Sequence, residues 1–255
     1  MAAAAAGNEP LAGYSVWFDF ADTSTLSLTG TSINSIVNKS DTGVIAYTFT
    51  PRSSLNVVYD AAAKALDGTA SALDYSLENA SIGDALLYPG GAWIYSTQEQ
   101  TLVTITAESS FRGQPFGWEA NSTRAQEIFF NDASGYRTAT LDSPDPHITG
   151  ISNDFTKDCL VFNTVYNTAT SGADQYQTAY RGLTEQVSSL NSWTTGGFSS
   201  GGNFTRIGGT SRNADTFYGF TGNIYGVLQY PFALTSIQRG DLATWAVDYY
   251  GLTLQ

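Results

Sequence analysis

Phe204-Thr-Arg-Ile-Gly-Gly, then Phe217-Tyr-Gly-Phe-Thr-Gly-Asn-Ile-Tyr-Gly-Val-Leu-Gln-Tyr, then a periodic run from Thr235 to Gly251, is the stretch that decides the fold. It reads as two short strands running into one helix. Thr235 and Gln238 stand at capping-box spacing, so the threonine hydroxyl can accept the Gln238 backbone N–H while the glutamine side chain reaches back. Leu242, Trp245, Ala246 and Tyr249 recur on one helical face, and Gly251 suits the position just past the helix. Gly222 to Tyr230 alternates Ile224, Gly226, Leu228 and Tyr230 with Tyr225, Val227 and Gln229. Both faces are largely apolar, which predicts a strand covered on each side. Pro231 has no N–H to give a ladder and closes it.

Working outward, Gly13 to Phe20 reads as a strand, and Asp22 is placed to accept backbone N–H groups just beyond it. Leu26, Leu28, Ile33, Ile36 and Val37 continue the apolar pattern. Strands are expected over 44–50, stopped by Pro51, and over 56–59, with a helical turn at 61–65. Thr101-Leu-Val-Thr-Ile-Thr-Ala alternates Leu102, Thr104 and Thr106 with Val103, Ile105 and Ala107, the pattern of a central strand. Further β segments begin near Phe116, Glu127, Tyr136, His147, Leu160 and Gln175. Turn signals separate them at the spacing of a two-sheet sandwich. The loop around Gly196 to Asn203 lies within the domain. The reading is an N-terminal arm over 1–12 and a single domain over 13–255.

Composition narrows the function classes. The chain has 255 residues, 42% hydrophobic and only 13% charged, with a formal net charge of −12. That balance repels phosphate backbones, so nucleic acid is not an expected partner. No apolar run reaches 18 residues, so no membrane helix is expected. Cys159 is the sole cysteine and His147 the sole histidine, which removes a disulfide framework and any triad that needs histidine. Met1-Ala-Ala-Ala-Ala-Ala-Gly-Asn-Glu-Pro lacks the basic and apolar regions of a secretory leader. It reads as an attachment arm, with Ala2, Ala6, Asn8 and Pro10 as its contact residues.

Three segments resemble the concanavalin A-like, laminin-G-like jelly-roll family, of the kind found in phage virion proteins. Trp17-Phe-Asp-Phe-Ala-Asp-Thr-Ser-Thr-Leu with Asn38-Lys-Ser is similar to the family's opening. Gln177-Thr-Ala-Tyr-Arg-Gly-Leu-Thr-Glu is similar to its strand–turn–strand, and Ile207-Gly-Gly through Gly251 to its closure. Asn38 stands where aspartate is usual, and Arg181 where asparagine is usual. The resemblance implies an all-β antiparallel two-sheet sandwich with one short C-terminal helix and recognition at one rim.

Some members hydrolyse polysaccharides with paired carboxylates on alternating positions of one strand. Here Glu78, Glu99, Glu108, Glu119, Glu127 and Glu185 are scattered singly, so no enzyme is expected. A rim calcium would draw on Asp142, Asp145 and Asp154, although aspartates beside Pro144 and Pro146 also read as turn formers; no other cofactor is implied. Sugar stacking needs exposed aromatics beside hydrogen-bonding groups. Trp118 with Asn121, Tyr136, Trp193 with Asn191, and Tyr218 with Asp215 are the candidates. The leading expectation is a non-enzymatic structural protein on a phage virion surface, held by its arm to other virion proteins or to its own copies. The alternative is a carbohydrate-binding module or receptor-binding adhesin.

Overall fold

The computed structural model of the chain describes residues 9–39, 48–52, 55–71, 75, 77–79, 100–108, 113–121, 124–131, 135–140, 147–151, 158–167, 175–191, 204–210 and 218–254. Val16, Trp17 and Phe18, apolar side chains on consecutive positions, are all buried and form β1 (Val16–Asp19). Asp22 accepts the Ser24 N–H and caps a short 3-10 turn, Thr23–Thr25. A hairpin of β2 (Leu26–Thr29) and β3 (Ser32–Val37) follows. Four short strands come next: β4 (Thr48–Pro51), β5 (Val58–Asp60), β6 (Ala65–Asp67) and β7 (Leu77–Asn79). The longer β8 (Gln100–Glu108), β9 (Gly113–Asn121), β10 (Arg124–Asn131), β11 (Gly135–Thr140) and β12 (His147–Ile151) lead to β13 (Cys159–Asn167), β14 (Gln175–Arg181) and β15 (Thr184–Asn191). The chain then forms β16 (Phe204–Ile207), β17 (Gly209–Thr210), β18 (Tyr218–Gly219), β19 (Gly222–Tyr230) and the helix α1 (Ser236–Tyr250).

Among the described residues, the pairings between these strands are all antiparallel. One layer runs β1–β19–β8–β13–β14–β15, with β6, β5, β3 and β2 continuing beside β19. The other runs β4–β7–β16–β9–β10–β11–β12. Because β4 pairs with β3 of the first layer as well as β7 of the second, the sheet curls over itself there. The all-β sandwich read from the sequence is the fold observed.

Two apolar clusters sit on opposite faces of the first layer. Val16, Phe18, Leu102, Ile224 and Val227 meet Phe49, Leu77, Phe116 and Ile207 of the second layer between the sheets. Trp17, Val103, Ile105, Leu160, Phe162, Leu228 and Tyr230 pack instead under Leu242, Ala243, Trp245 and Ala246 of α1. Each central strand is therefore buried on both faces, and α1 is the cover the outer face needs. The capping box forms as its spacing predicts: Gln238 N–H donates to Thr235 Oγ1 and Thr235 N–H to Gln238 Oε1. Gly251 ends the helix at φ 69°, ψ 37°, a left-handed conformation natural to glycine.

Three local expectations differ from the structure. The alternation in β19 is broken, because Ile224 pairs with Thr106 and Gly226 with Ile105, leaving Tyr225 as an extra residue. This bulge puts Ile224 on the inner face with Val227, not with Leu228 and Tyr230. Residues 61–64 are the turn of the β5–β6 hairpin and not a helical turn, since Asp60 Oδ1 accepts the N–H groups of Ala62 and Ala63. Pro51 is the last residue of β4, where no N–H is needed, and does not stand outside it.

The bulge also brings backbone close to α1. A Cβ on Gly226 would lie 2.5 Å from Tyr250 Oη and 3.4 Å from Phe18 O. Gly226→Ala should cost about 1–3 kcal/mol, the range for overpacking a filled interior. The midpoint of urea unfolding measures it, and an unchanged midpoint would show that Tyr250 moves aside freely.

Candidate functional site

The opening motif concentrates the ionic chemistry of the described residues. Asp19 is fully buried on β1, and Trp17 is buried two residues before it. Asp19 Oδ2 accepts from Lys39 Nζ at 3.0 Å and from Tyr249 Oη at 2.8 Å, and Oδ1 accepts from the Ala21 N–H and from Tyr250 Oη. Lys39 also reaches Asp22 Oδ2 at 2.7 Å, and its ammonium lies 3.9 Å from the centre of the Trp17 ring, a cation–π contact. Asn38 and Lys39 hold that geometry from the backbone: Trp17 N–H donates to Asn38 Oδ1 and Lys39 O, and Lys39 N–H donates to Trp17 O. The asparagine at position 38 thus performs a defined task as an acceptor.

These partners move the titrations. The hydrogen bonds from Lys39 and Ser24 pull Asp22 from 3.8 down to about 2. Burial draws Lys39 downward, but the Asp22 and Asp19 carboxylates outweigh it and leave the ammonium above its ordinary range. Burial, reinforced by Asp19, pushes the Tyr249 and Tyr250 hydroxyls up. Every ionic valence here is met within the chain, so the cluster fastens the end of α1 to β1 and leaves nothing open to a ligand.

A different pattern appears on the inner face of the second layer. Leu77, Ile207, Phe116, Ile128, Thr138 and Ile148 stand opposite one another across β7, β16, β9, β10, β11 and β12. The first three are buried in the inter-sheet core. Two residues along each strand, and hence on the same face, the register gives the row Asn79, Thr205, Trp118, Gln126 and Thr140. An apolar row is thus succeeded by one of amides and hydroxyls centred on a tryptophan. The first layer changes in the same way. Leu102, in the core, is opposite Gln229 and Asn163, and the following inner-face rows are Gln100, Val165, Gln177, Ser189 and then Asn167, Gln175, Asn191. Only residues 109–112 join β8 to β9, so the Gln100 end of β8 and the Asn121 end of β9 lie at the same end of the sandwich. On the same face, the Thr104 and Thr106 hydroxyls are buried and find no hydrogen-bond partner among the described residues.

The structure sorts the sequence candidates. Trp118 is at the centre of the polar row, and Asn121 ends the same strand opposite Arg124. Tyr136 pairs with Phe130 and Ile151, on the far side of the Phe116 row. Two row steps, about 13 Å along the strands, separate Tyr136 from Trp118. Tyr218 is in the small β17–β18 pairing, opposite Thr210. Asn191 ends β15 opposite Gln175. Pro10 is buried against its own chain, where Leu11 O accepts from Tyr230 Oη and Tyr14 Oη donates to Glu9. Trp193, Asp215, Ala2, Ala6 and Asn8 lie outside the described residues, as do Asp142, Asp145 and Asp154 of the calcium expectation. Asn79, Thr205, Gln126 and Thr140 escape sequence reading, because four separate strands supply them and only register aligns them with Trp118.

Carboxylates occupy the other face. Glu78 pairs with Arg206, which is opposite Gly117, and Gly117 is opposite Glu127. Arg206 Nε donates to Glu78 Oε2 at 3.0 Å. By alternation Glu119 shares that face, so none of these acids shares the face of the polar row.

No family model matches the chain, and the search of curated proteins gives no match. Solved structures do resemble it. One is domain 4 of AbnA, a GH43 extracellular arabinanase from Geobacillus stearothermophilus, in complex with arabinotriose. It is 14% identical, with a TM-score of 0.52 over 91% of this chain and 98% of that one. Another is the Trypanosoma rangeli sialidase with 2,3-difluorosialic acid, also 14% identical, with a TM-score of 0.57 over 94% of this chain. This chain spans 34% of that sialidase's length. At such identity the likeness shows the fold, a jelly-roll β-sandwich related to the concanavalin A-like type. Neither structure has a link to a phage particle.

The ion cluster makes an ordered set of outcomes. Asp19→Ala removes the buried acceptor of Lys39, Tyr249 and Tyr250, leaving Lys39 only Asp22, and should cost about 1–3 kcal/mol, whereas Asp22→Ala at the rim should cost under about 1 kcal/mol. The lowered pKa of Asp22 means its contribution is present above pH 3.8 and is lost as pH falls to about 2. Denaturation curves across that window should converge for wild type and Asp22→Asn at the acid end; a gap independent of pH would remove the carboxylate from the account.

Proposed function

We propose that this chain is a non-catalytic carbohydrate-binding domain, with its site at the end of the sandwich where the inner faces turn polar. The row Asn79, Thr205, Trp118, Gln126, Thr140 carries the reading. A sugar ring offers an apolar C–H face and a rim of hydroxyls that both donate and accept. An indole suits the first, and amides and hydroxyls, which also donate and accept, suit the second. The first layer supplies more such groups at Gln100, Gln177, Ser189, Asn167, Gln175 and Asn191. Two fold relatives support the class: the arabinanase domain was solved with arabinotriose and the sialidase with a sialic acid derivative.

The non-catalytic part rests on the rows themselves. Glycoside hydrolysis in its usual form needs two carboxyl groups flanking the scissile bond, and no aspartate or glutamate stands at any position of the three polar rows. Display on a phage particle, the leading sequence expectation, draws no support from the fold relatives, and the carbohydrate reading takes its place.

A glycan array probed with the whole chain is the direct test. Reproducible binding that falls at least tenfold in Trp118→Ala, with the melting temperature of Gln126→Ala close to wild type and its binding also reduced, is the expected result. Silence across neutral and acidic glycans, from a protein shown folded by circular dichroism, would end the carbohydrate reading.

A further inference from the structure

We infer that a groove between α1 and the β14–β15 turn docks a basic, amphipathic segment of another protein. A bulky apolar side chain of that segment enters the groove, and its lysine or arginine side chains meet Asp241 and Asp248. The inference does not rest on the carbohydrate reading, because the groove is on the outer face of the first layer and shares no residue with the row around Trp118. Its walls are Leu183 and Thr184 at the turn, Gly240, Ala243 and Val247 of α1, and Leu254 near the C-terminus, and they enclose about 450 Å³. That volume falls in the range of ligand-binding clefts. Leu183, Thr184 and, on α1, Thr244 are exposed, so the groove opens to solvent. A Cβ placed on Gly240 would meet no neighbouring side chain within 4 Å, so an occupant has room beside the helix there.

Among the described residues, the two large apolar side chains left exposed are Leu183, at 62%, and Ile237, at 75%. Leu183 is a wall of the groove, and Ile237 stands on α1 one turn before Gly240 and Asp241. Apolar side chains gathered beside a concavity mark a contact surface, where single ones scattered over a protein do not. Ile237, Asp241, Thr244 and Asp248 form one exposed stripe of α1 along the rim of the groove. From Ile237 to Asp248 the stripe rises about 16 Å, a length suited to a peptide segment and too long for a small molecule seated in the groove.

Charge selects the occupant. Asp241 and Asp248 stand two turns apart, about 10.5 Å, and no ion pair among the described residues involves either. Asp248 is in the last turn of α1, where a carboxylate opposes the helix dipole, and no basic residue accompanies it there. Arg239, the one basic residue of α1, is buried and donates to Leu234 O. Two solvated carboxylates beside an apolar groove call for an apolar anchor flanked by cations. A second copy of this chain, with its net charge of −12, is the wrong partner for that rim.

The test is selection with the whole chain from a yeast-displayed random peptide library, followed by fluorescence titration of the enriched peptides. Peptides that combine leucine, isoleucine, phenylalanine or tryptophan with at least two lysines or arginines should be enriched. Gly240→Leu fills the groove from a helical position that has room for it. Its melting temperature should equal or exceed that of wild type, while its affinity for the enriched peptides falls at least tenfold. Asp241→Asn combined with Asp248→Asn should weaken them several-fold and flatten the dependence on ionic strength, with an unchanged circular dichroism spectrum. Enrichment of acidic or uncharged peptides, basic peptides whose binding survives both variants, or no enrichment at all overturns the inference. Concentration-dependent dimerisation in sedimentation velocity, abolished by Gly240→Leu, overturns it in favour of a second copy.

Discussion

The central strands of the first layer are buried on both faces, and most of the architecture answers that constraint. Val16, Phe18 and Val227 face the second layer while Trp17, Leu228 and Tyr230 face α1. A sheet of this kind in water needs two covers. The curl through β4 supplies the inner one, and the helix supplies the outer one. The Tyr225 bulge makes the two compatible: it restores Ile224 to the inner cluster and lets glycine, at 226, pass beneath Tyr250. The helix is then fastened at its C-terminal end through Tyr249 and Tyr250 to the buried Asp19. Burying a carboxylate is tolerable only with its partners in place, and Asp19 has four donors around it.

In the first layer the buried Asp19 and the uncharged rows lie toward opposite ends. Asp19 pairs with Gly226, and Phe18 and Val227 beside them share a row with Thr104. Toward Gln100 the inner face passes through Leu102 and Asn163 to the glutamine and asparagine rows. At the other end the buried carboxylate is stabilised by donors on the same chain.

Much of this was legible in the sequence because it is periodic or local. The capping box at Thr235 and Gln238, the apolar stripe of α1, the paired faces of β8 and the turn at Asp22 all depend on residues a few positions apart. The Tyr225 bulge was not legible, since an extra residue in one strand is defined only by the partner it fails to match. The role of Lys39 was hidden for the same reason: its carboxylates are 17 and 20 residues away, and the sequence shows only that a lysine follows Asn38. The row that aligns Trp118 with Asn79 and Thr205 was not legible, because Asn79 and Thr205 are 126 residues apart in the chain and adjacent only through the β7–β16 ladder.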